Sequence, residues 1–343
     1  MRYKNFIEPE GSAHLKVYKN NRREEINMIK VIMDCDPGHD DAIALLLASR
    51  SENIKILGVT TVAGNSELEN TTRNARKILD FAGVTDVDVY AGCSKPLMRD
   101  LYRLTGAIIH GEDGLGGPKI PAPVTPVKEE HGVDFIIRTL RESNEKITLI
   151  ATGPLTNVAM VLMKAPDVKE KIERIIIMGG AVVDPGNITS AAEFNIFVDP
   201  EAAKVVFSSG CTIYLNTLDI SMKAVFYEKD IEDLRAQGDK VSDIVAQLLD
   251  FFASTHVKHF GFKACPIHDA LCVGMLIDES MIEFQKTYLD ISVNDPLTLG
   301  ETVADLWGIT GHEPNCYISM KVNRELFVKM IQDHMKKPYV SKN

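Results

Sequence analysis

The chain alternates short apolar runs rich in β-branched residues with helical stretches, and this alternation constrains its fold most strongly. Residues 30–33 and 54–62 predict the first two strands, and residues 40–49 and 68–82 predict the helices that follow them. These strand runs lack the polar face of a sheet that is open to solvent, so both faces must be covered. The pattern therefore predicts an α/β fold with a single open, mostly parallel sheet and helices on both faces.

The C-terminal third is predicted to be mostly helical. Residues 228–236, 241–256 and 269–277 carry helical patterns, and residues 324–335 predict a closing helix. No linker rich in Pro, Gly or Ser divides the chain, so we expect one Rossmann-like domain. Its predicted span is 29–343, after a polar N-terminal extension over 1–28.

Composition excludes several classes of protein. A hydrophobic content of 45% with 25% charged residues, over 343 residues, is that of a globular protein and not of a disordered chain or a fibre. The net charge of −10 would repel a nucleic acid polymer. Apolar runs are too short to span a membrane, and six scattered cysteines without a CxxC pair favour free thiols in the cytoplasm.

Four carboxylates follow the first predicted strand. Asp34, Asp36, Asp40 and Asp41 fall around a Pro37-Gly38 turn, at the carboxyl end of a buried strand where open α/β sheets bind ligands. Helix capping accounts for some of these charges, since acidic residues favour a helix N-terminus. The others would repel one another unless a cation neutralises them. Oxygen ligands indicate a hard ion, Ca²⁺ or Mg²⁺, in place of zinc.

This turn and a series of later motifs carry a family resemblance. The stretch DCDPGHDDA over 34–42 is followed in order by TVAGN over 61–65, IHGE over 109–112, ATGPLTN over 151–157, MGG over 178–180, GN over 186–187, AEFNI over 192–196, DPEAA over 199–203 and HD over 268–269. The ordered set resembles the inosine-uridine preferring nucleoside hydrolases over about residues 29–335. The resemblance implies cleavage of the N-glycosidic bond of a nucleoside, with uridine and cytidine favoured and inosine possible.

The resemblance implies one Ca²⁺ per subunit. Its protein ligands would be Asp36, Asp41, Asp269 and the backbone carbonyl of Thr152, with Asp34 orienting them from behind. Asp36 would also take the proton from the attacking water. Without the family pattern, the residues favour Asp269 as the N-cap of the helix that follows it.

A second set of residues resembles the family's ribose-binding and substrate-facing groups. They are Asp40, Asn65, Met178, Asn187, Glu193, Phe194 and Asn195. Carboxylates and amides suit ribose hydroxyls, which both donate and accept hydrogen bonds. The residues alone leave plainer alternatives open: 193–195 as a loop, Met178 as core and Asn65 as a turn residue.

The base-binding side is implied by histidines and by a helix. His268 is the candidate acid or hydrogen-bond donor to the leaving base, although a His beside a metal ligand can be a passive neighbour, and His110 is expected near the base. The helical C-terminal portion is expected over the active site, where His256 and Phe260 match pyrimidine-preferring relatives. Family members are usually dimers or tetramers, so a homo-oligomer is expected.

Two other functions remain open from the residues alone. Asp34 and Asp36 after a buried strand also suit a haloacid-dehalogenase-like, Mg²⁺-dependent phosphatase, with Asp34 as nucleophile. Gly38 stands where that class has a small hydroxyl residue, and Asp40 and Asp41 would repel a phosphate. The other function is a non-catalytic module that binds ribose or Ca²⁺, although every expected carboxylate is present.

Overall fold

The computed structural model describes residues 28–102, 109–111, 113–261 and 264–342. Its largest feature is a sheet of eight strands, whose order is β3-β2-β1-β4-β5-β6-β12-β9. The bounds of these strands are β1 Ile29–Cys35, β2 Ile54–Thr61, β3 Val89–Ala91, β4 Ile147–Ala151, β5 Ile172–Met178, β6 Ile213–Asn216, β9 Ile282–Thr287 and β12 Cys316–Val322. Neighbouring strands are parallel except β12 and β9, which are antiparallel.

Four further strands form two small antiparallel pairs outside this sheet. They are β7 Val225–Phe226 with β8 Cys265–Pro266, and β10 Leu289–Ile291 with β11 Thr302–Ala304. The α-helices are α1 His39–Arg50, α2 Leu68–Phe81, α3 Gly132–Glu142, α4 Thr156–Lys164, α5 Phe194–Val198, α6 Pro200–Phe207, α7 Leu218–Ser221, α8 Glu228–Arg235, α9 Lys240–Phe260, α10 Ala270–Ile277 and α11 Arg324–Met335.

Helices cover both faces of the sheet, as predicted. One apolar cluster joins α1, α2, α10 and α11 to the sheet, and a second joins α3, α4 and α6 to its other face. Every residue of α1 is buried, because α1 also packs against α10 and α11 on its outer side. The α1 N-terminus, with Asp40 and Asp41, is therefore held inside the protein at the carboxyl end of β1.

The sheet has one strand that the sequence pattern did not reveal. Strand β9 runs over Ile282–Thr287 at the edge, and its middle residues are exposed or half-buried. An edge strand of this kind carries polar residues, so it lacks the continuous apolar run of the central strands. The strand expected over 288–293 is the short β10, and α9 reaches Phe260, beyond its predicted end.

The predicted extension over 1–28 lies outside the described residues except for Met28, so the domain division stays a prediction. Among the helices in the described part of the chain, none combines the length and apolar character that crossing a membrane requires.

Candidate active site

The acidic turn is buried at the carboxyl edge of the sheet. Asp34 ends β1 with Cys35, the chain turns at Pro37-Gly38, and α1 begins at His39. The side chains of Asp36 and Asp41 have no exposed surface, and Asp40 is 5% exposed. Acidic residues at a helix N-terminus are ordinary on a protein surface. Here they are enclosed, so the dipole of α1 alone does not account for them.

Asp269 joins this cluster from the other end of the chain. One carboxylate oxygen from each of Asp40, Asp41 and Asp269 lies within 4.8 Å of the others. Asp269 stands at the N-terminus of α10, but among the described residues its side chain makes no capping hydrogen bond. Asp269 therefore occupies the N-cap position that was the plainer expectation, but its carboxylate does not cap the helix and faces the cluster.

Burial and mutual repulsion disfavour the charged forms of these acids. Burial, then repulsion by Asp41, raises the pKa of Asp36 well above its ordinary value, and burial with repulsion by Asp40 does the same for Asp269. Burial and then repulsion by Asp41 raise the pKa of Asp40 to about 7. A divalent cation would offset both effects, and oxygen donors suit a hard cation. The residues present therefore fit a metal ion of the calcium or magnesium type.

Asp36 is held in place by backbone on two sides. Its Oδ2 accepts a hydrogen bond of 2.7 Å from the amide of Asn65, while the side-chain amide of Asn65 donates to the Asp36 carbonyl at 3.2 Å. A Cβ added at Gly64 or Gly153 would collide with the Asp36 carboxylate. Within the described residues, the buried Oδ1 has no hydrogen-bond partner. This oxygen therefore has the capacity to accept a cation or a proton donor.

The tightest group of three carboxylates differs from the predicted ligand set. It contains Asp40, whereas the family pattern gives Asp36 with Asp41 and Asp269. Because calcium accepts roughly 6–8 oxygen ligands, the two sets are compatible. The unpartnered Oδ1 of Asp36 favours Asp36 as a ligand.

Asp34 lies behind the cluster in a polar socket. Its Oδ1 accepts hydrogen bonds from Thr60 at 2.6 Å and from the side-chain amide of Asn157 at 2.7 Å. Burial raises its pKa to about 6. The backbone carbonyl of Asp34 accepts from the amide of Thr152 at 2.9 Å, so Asp34 links β1 to the turn after β4.

Thr152 connects the acidic cluster to the predicted ribose side. Its hydroxyl donates to Oδ1 of Asp41 at 2.7 Å. Its carbonyl accepts from the side-chain amide of Asn195 at 2.7 Å, and that amide also reaches the carbonyl of Met178 at 3.2 Å. A carbonyl oxygen has two lone pairs, so this bond leaves capacity for a second partner.

Glu193 and Asn187 shape the segment that carries Phe194 and Asn195. Glu193 is the N-cap of α5: its Oε1 accepts from the amide of Asn195 at 2.9 Å, and its Oε2 accepts from the amide of Gly180 at 2.9 Å. Oδ1 of Asn187 accepts from the amide of the half-buried Phe194, also at 2.9 Å. The segment expected as a loop is thus a short helix that is anchored to the MGG turn after β5.

The two predicted histidines contact different sets of side chains. Nδ1 of His268 is 2.7 Å from the hydroxyl of Ser221. Nδ1 of His110 is 3.1 Å from Nδ1 of His39, and both rings stack with Phe252. The aromatic residue comes from α9, so this part of the C-terminal helical region reaches the site. His256 and Phe260 are predicted to contact the base. The structure describes their backbone in α9 but not their side chains.

Three residues that had no predicted role hold the site together. Asn157 bonds to Asp34, Ser221 bonds to His268, and His39 joins His110 to the carbonyl of Gly116 at 2.9 Å. Asn157 and His39 lie inside the quoted motifs, which was the available signal. Ser221 lies outside every motif, and only the fold brings it to His268.

The arrangement can hold a divalent ion, polarise a water and bind a polyhydroxyl ligand. The carboxylates of Asp40, Asp41 and Asp269 lie close together. Beside them, hydrogen bonds connect the carbonyl of Thr152 to Asn195, and Asn195 to the carboxylate of Glu193. His268, next to Asp269 in the chain, is a proton donor or acceptor at the edge of the cluster. These are the components that cleavage of a glycosidic bond requires.

Comparison with known proteins agrees with this chemistry. The model of the family "Inosine-uridine preferring nucleoside hydrolase" matches residues 31–329. The "Pyrimidine-specific ribonucleoside hydrolase RihA" of Escherichia coli O1:K1 is 41% identical over 90% of this chain and 98% of its own.

Two solved structures share the fold. A plant nucleoside hydrolase, PpNRh1, has a TM-score of 0.85 at 30% identity, over 90% of this chain and 99% of its own. A purine-preferring ribonucleoside hydrolase from Gardnerella vaginalis has a TM-score of 0.84 at 30% identity, over 90% of this chain and 98% of its own. These matches do not support the phosphatase or the non-catalytic module. The chain belongs to the inosine-uridine preferring nucleoside hydrolase family and is a ribonucleoside hydrolase, an enzyme that acts on N-glycosyl compounds.

Proposed function

We propose that this ribonucleoside hydrolase prefers uridine and cytidine, cleaves inosine less well, and uses one Ca²⁺ per subunit. The base preference is supported by the Escherichia coli relative, a pyrimidine-specific enzyme that is 41% identical, whereas the purine-preferring enzyme is 30% identical. The observation that carries the catalytic proposal is the buried acidic cluster formed by the turn after β1 and by Asp269.

The proposed ligands are Asp36, Asp41, Asp269 and the carbonyl of Thr152. Asp41 accepts bonds from Gly38 and Thr152, and these fix its orientation. When bound, calcium supplies a positive charge that acidifies a water and gathers the two neighbouring ribose hydroxyls. Calcium is proposed over magnesium because calcium accepts roughly 6–8 oxygen ligands in flexible geometry, whereas magnesium demands a near-ideal octahedron.

Asp36 is the proposed general base. The amide of Asn65 occupies its Oδ2, which leaves the unpartnered Oδ1 to take a proton from the attacking water. Its carboxylate is fixed by glycine backbone at Gly64 and Gly153, so little reorganisation is needed at the moment of reaction. Asp34 is the residue that we propose to orient these groups from behind.

We propose that the sugar is bound by Asp40, Asn187, Glu193 and Asn195. The substrate pocket is proposed to be lined by Asn65, Met178 and Phe194. Glu193 and Asn195 are already fixed by backbone hydrogen bonds, so the ribose would meet groups with settled orientations. Cleavage passes through an oxocarbenium-like state, and hydrogen bonds to the sugar hydroxyls that strengthen there lower the barrier.

Departure of the base is proposed to depend on His268 as the hydrogen-bond or proton donor, with His110 near the base. A positioned donor of this kind contributes roughly 10²–10⁴-fold in rate. His256 and Phe260 are proposed to face the base from α9.

The family membership also leads us to propose a homo-oligomer, dimer or tetramer, that acts in nucleoside catabolism or salvage. A cytoplasmic location is proposed because the six cysteines are free thiols. The proposed domain spans 29–343, with 1–28 as an extension, and neither a nucleic acid polymer nor a membrane is a proposed partner.

One set of assays tests these proposals. The protein is incubated separately with uridine, cytidine, inosine and a phosphomonoester, with and without a chelator, and free ribose and inorganic phosphate are measured. We expect ribose from the pyrimidine nucleosides first, loss of the activity with chelator, and recovery with Ca²⁺ more than with Mg²⁺. Faster release from inosine would contradict the base preference. Full activity in chelator would contradict the metal, and phosphate release would favour the phosphatase.

A further inference from the structure

The one-turn helix α7 lies at the carboxyl edge of the sheet, between His268 and the segment that leads to the predicted ribose-binding residues. It follows β6 directly, and the amide of Leu218 donates to the carbonyl of Gly180 at 2.9 Å. The amide of Thr217, its N-cap, donates to the hydroxyl of Ser319 on β12 at 3.2 Å. The helix is therefore fixed to two neighbouring parts of the sheet, although it is only four residues long.

Two side chains of α7 reach in different directions. The hydroxyl of Ser221 is fully buried and lies 2.7 Å from Nδ1 of His268. The carboxylate of Asp219 accepts the backbone amides of Val182 at 2.9 Å, and of Val183 and Asp184 at 2.7 Å each. Asp219 thus fixes the segment that leads to Asn187, while Ser221 contacts the opposite group of the site.

We propose that Ser221 is a positioning residue for the hydrolytic reaction, which acts by holding the His268 ring toward the leaving base. The same helix holds the ribose-side segment through Asp219, so α7 sets the spacing between the two groups. This inference rests on the proposed role of His268 and goes beyond it, because Ser221 lies outside every family motif in the sequence.

The chemistry of the pair explains why a hydroxyl is suitable at this position. When the hydroxyl of Ser221 donates to Nδ1, a neutral His268 ring carries its proton on Nε2, the nitrogen on the far side of the ring. A proton on Nε2 lets the neutral ring donate a hydrogen bond to a departing base. The hydroxyl also accepts, so it stays bonded when Nδ1 carries a proton. A methyl group in its place would remove this constraint on the ring rotation and on the tautomer.

A double-mutant cycle tests the proposal. The wild type, Ser221→Ala, His268→Ala and the double variant are compared on uridine and on 4-nitrophenyl riboside, whose leaving group needs no protonation. Ser221→Ala is expected to slow uridine cleavage about tenfold, in keeping with loss of one hydrogen bond to a catalytic group, and to slow the aryl riboside little. The double variant is expected to be no slower on uridine than His268→Ala.

Control variants separate positioning from general damage. Ser242→Ala removes another buried serine hydroxyl, which lies on α9 and donates a hydrogen bond of 2.7 Å to the side chain of Gln237. This variant is expected to leave both rates unchanged. Asp219→Asn is expected to raise the KM for both substrates without changing the ratio of their rates. Thermal unfolding of each variant verifies that it is folded.

Four outcomes would overturn the proposal. Equal losses on both substrates in Ser221→Ala would show structural damage, as would the same factor appearing again in the His268→Ala background. Unchanged uridine cleavage in Ser221→Ala would show that the hydrogen bond does not contribute to the reaction. If His268→Ala itself affects both substrates alike, the proposed role of His268 fails first, and that result is distinct from the other three.

Discussion

The side-chain amide nitrogen of Asn157 lies 2.7 Å from Oδ1 of Asp34. The same nitrogen donates to the carbonyl of Thr61 at 3.0 Å, and Oδ1 of Asn157 accepts from the amide of Cys93 at 2.8 Å. Asn157 is fully buried in the first turn of α4. One amide therefore fixes the orientation of Asp34 relative to two other parts of the sheet edge.

Replacing Asn157 by Ala is expected to weaken calcium binding roughly 10–100-fold, the usual effect of losing a group that orients metal ligands. Turnover at saturating Ca²⁺ should fall less. Calcium titration by calorimetry and the calcium dependence of uridine hydrolysis measure the two effects. Asn53→Ala, which removes a side-chain amide bonded to Leu276 at 3.2 Å, is the matched control. Equal calcium affinity in Asn157→Ala and the wild type would contradict the role of Asn157.

Gly64→Ala is expected to reduce kcat by about 10²-fold while the protein stays folded, because a displacement near 1 Å of a catalytic group has effects of that size. The new Cβ would press on Oδ2 of Asp36. Gly153→Ala, with its Cβ 2.7 Å from Oδ1, should act in the same direction. Rates on uridine and thermal unfolding are the measurements. Wild-type activity in both variants would show that the position of this carboxylate is not critical.

Asp36→Ala is expected to lower kcat by roughly 10³-fold or more, since it would remove both the proposed metal ligand and the proposed base. Asp36→Asn should keep the shape but lose the proton acceptor, and it should be nearly as slow. Asp100→Asn, at an exposed position, serves as the control for loss of one carboxylate. Near-normal turnover in Asp36→Ala would mean that the metal site has been assigned to the wrong residues.

The metal-free protein should be more stable near pH 5 than near pH 7. Burial raises the pKa of Asp34 to about 6 and of Asp40 to about 7, from 3.8. The folded state therefore holds more protons than the unfolded state, and the free energy of unfolding falls as pH rises from about 4 through 7.

Calcium should cancel this loss, because its ligands bind in their deprotonated form and binding strengthens as pH rises. Thermal unfolding in chelator and in Ca²⁺, at pH 5, 6 and 7, provides the test, with a shift of roughly 2–4 °C for each kcal/mol. A chelated protein that gains stability between pH 5 and pH 7 would contradict the expectation. Asp34→Asn should show a weaker dependence on pH than the wild type.

Most of the fold was predictable because its central strands are buried on both faces. Continuous apolar runs such as Ile147–Ala151 allow a strand to be recognised without knowledge of its neighbours. Strand β9 was not recognised, because its polar and half-exposed middle is explained only by its place at the edge beside β12. Local pattern indicates what a segment can form, whereas its neighbour in the sheet depends on distant residues.

The acidic turn was also predictable, since Asp34, Asp36, Asp40 and Asp41 are close in sequence and a strand end followed by a helix must bring them together. For Asp269 the residues alone favoured a helix cap, and the family pattern was needed to assign it to the metal site. The structure adds that its carboxylate lies with those of Asp40 and Asp41, where the proposed ion would bind.

By itself the sequence determined the class of fold, the carboxylate cluster and the order of motifs that identifies the family. The physical reason is that each can be recognised from short segments and their order along the chain, without knowledge of which segments meet. Only the tertiary structure decided that Asn157 bonds to Asp34, that Ser221 bonds to His268 and that α9 brings Phe252 to the histidine pair. These contacts join residues far apart in the chain, so they arise from the packing of helices on the sheet and leave no periodic trace in the sequence.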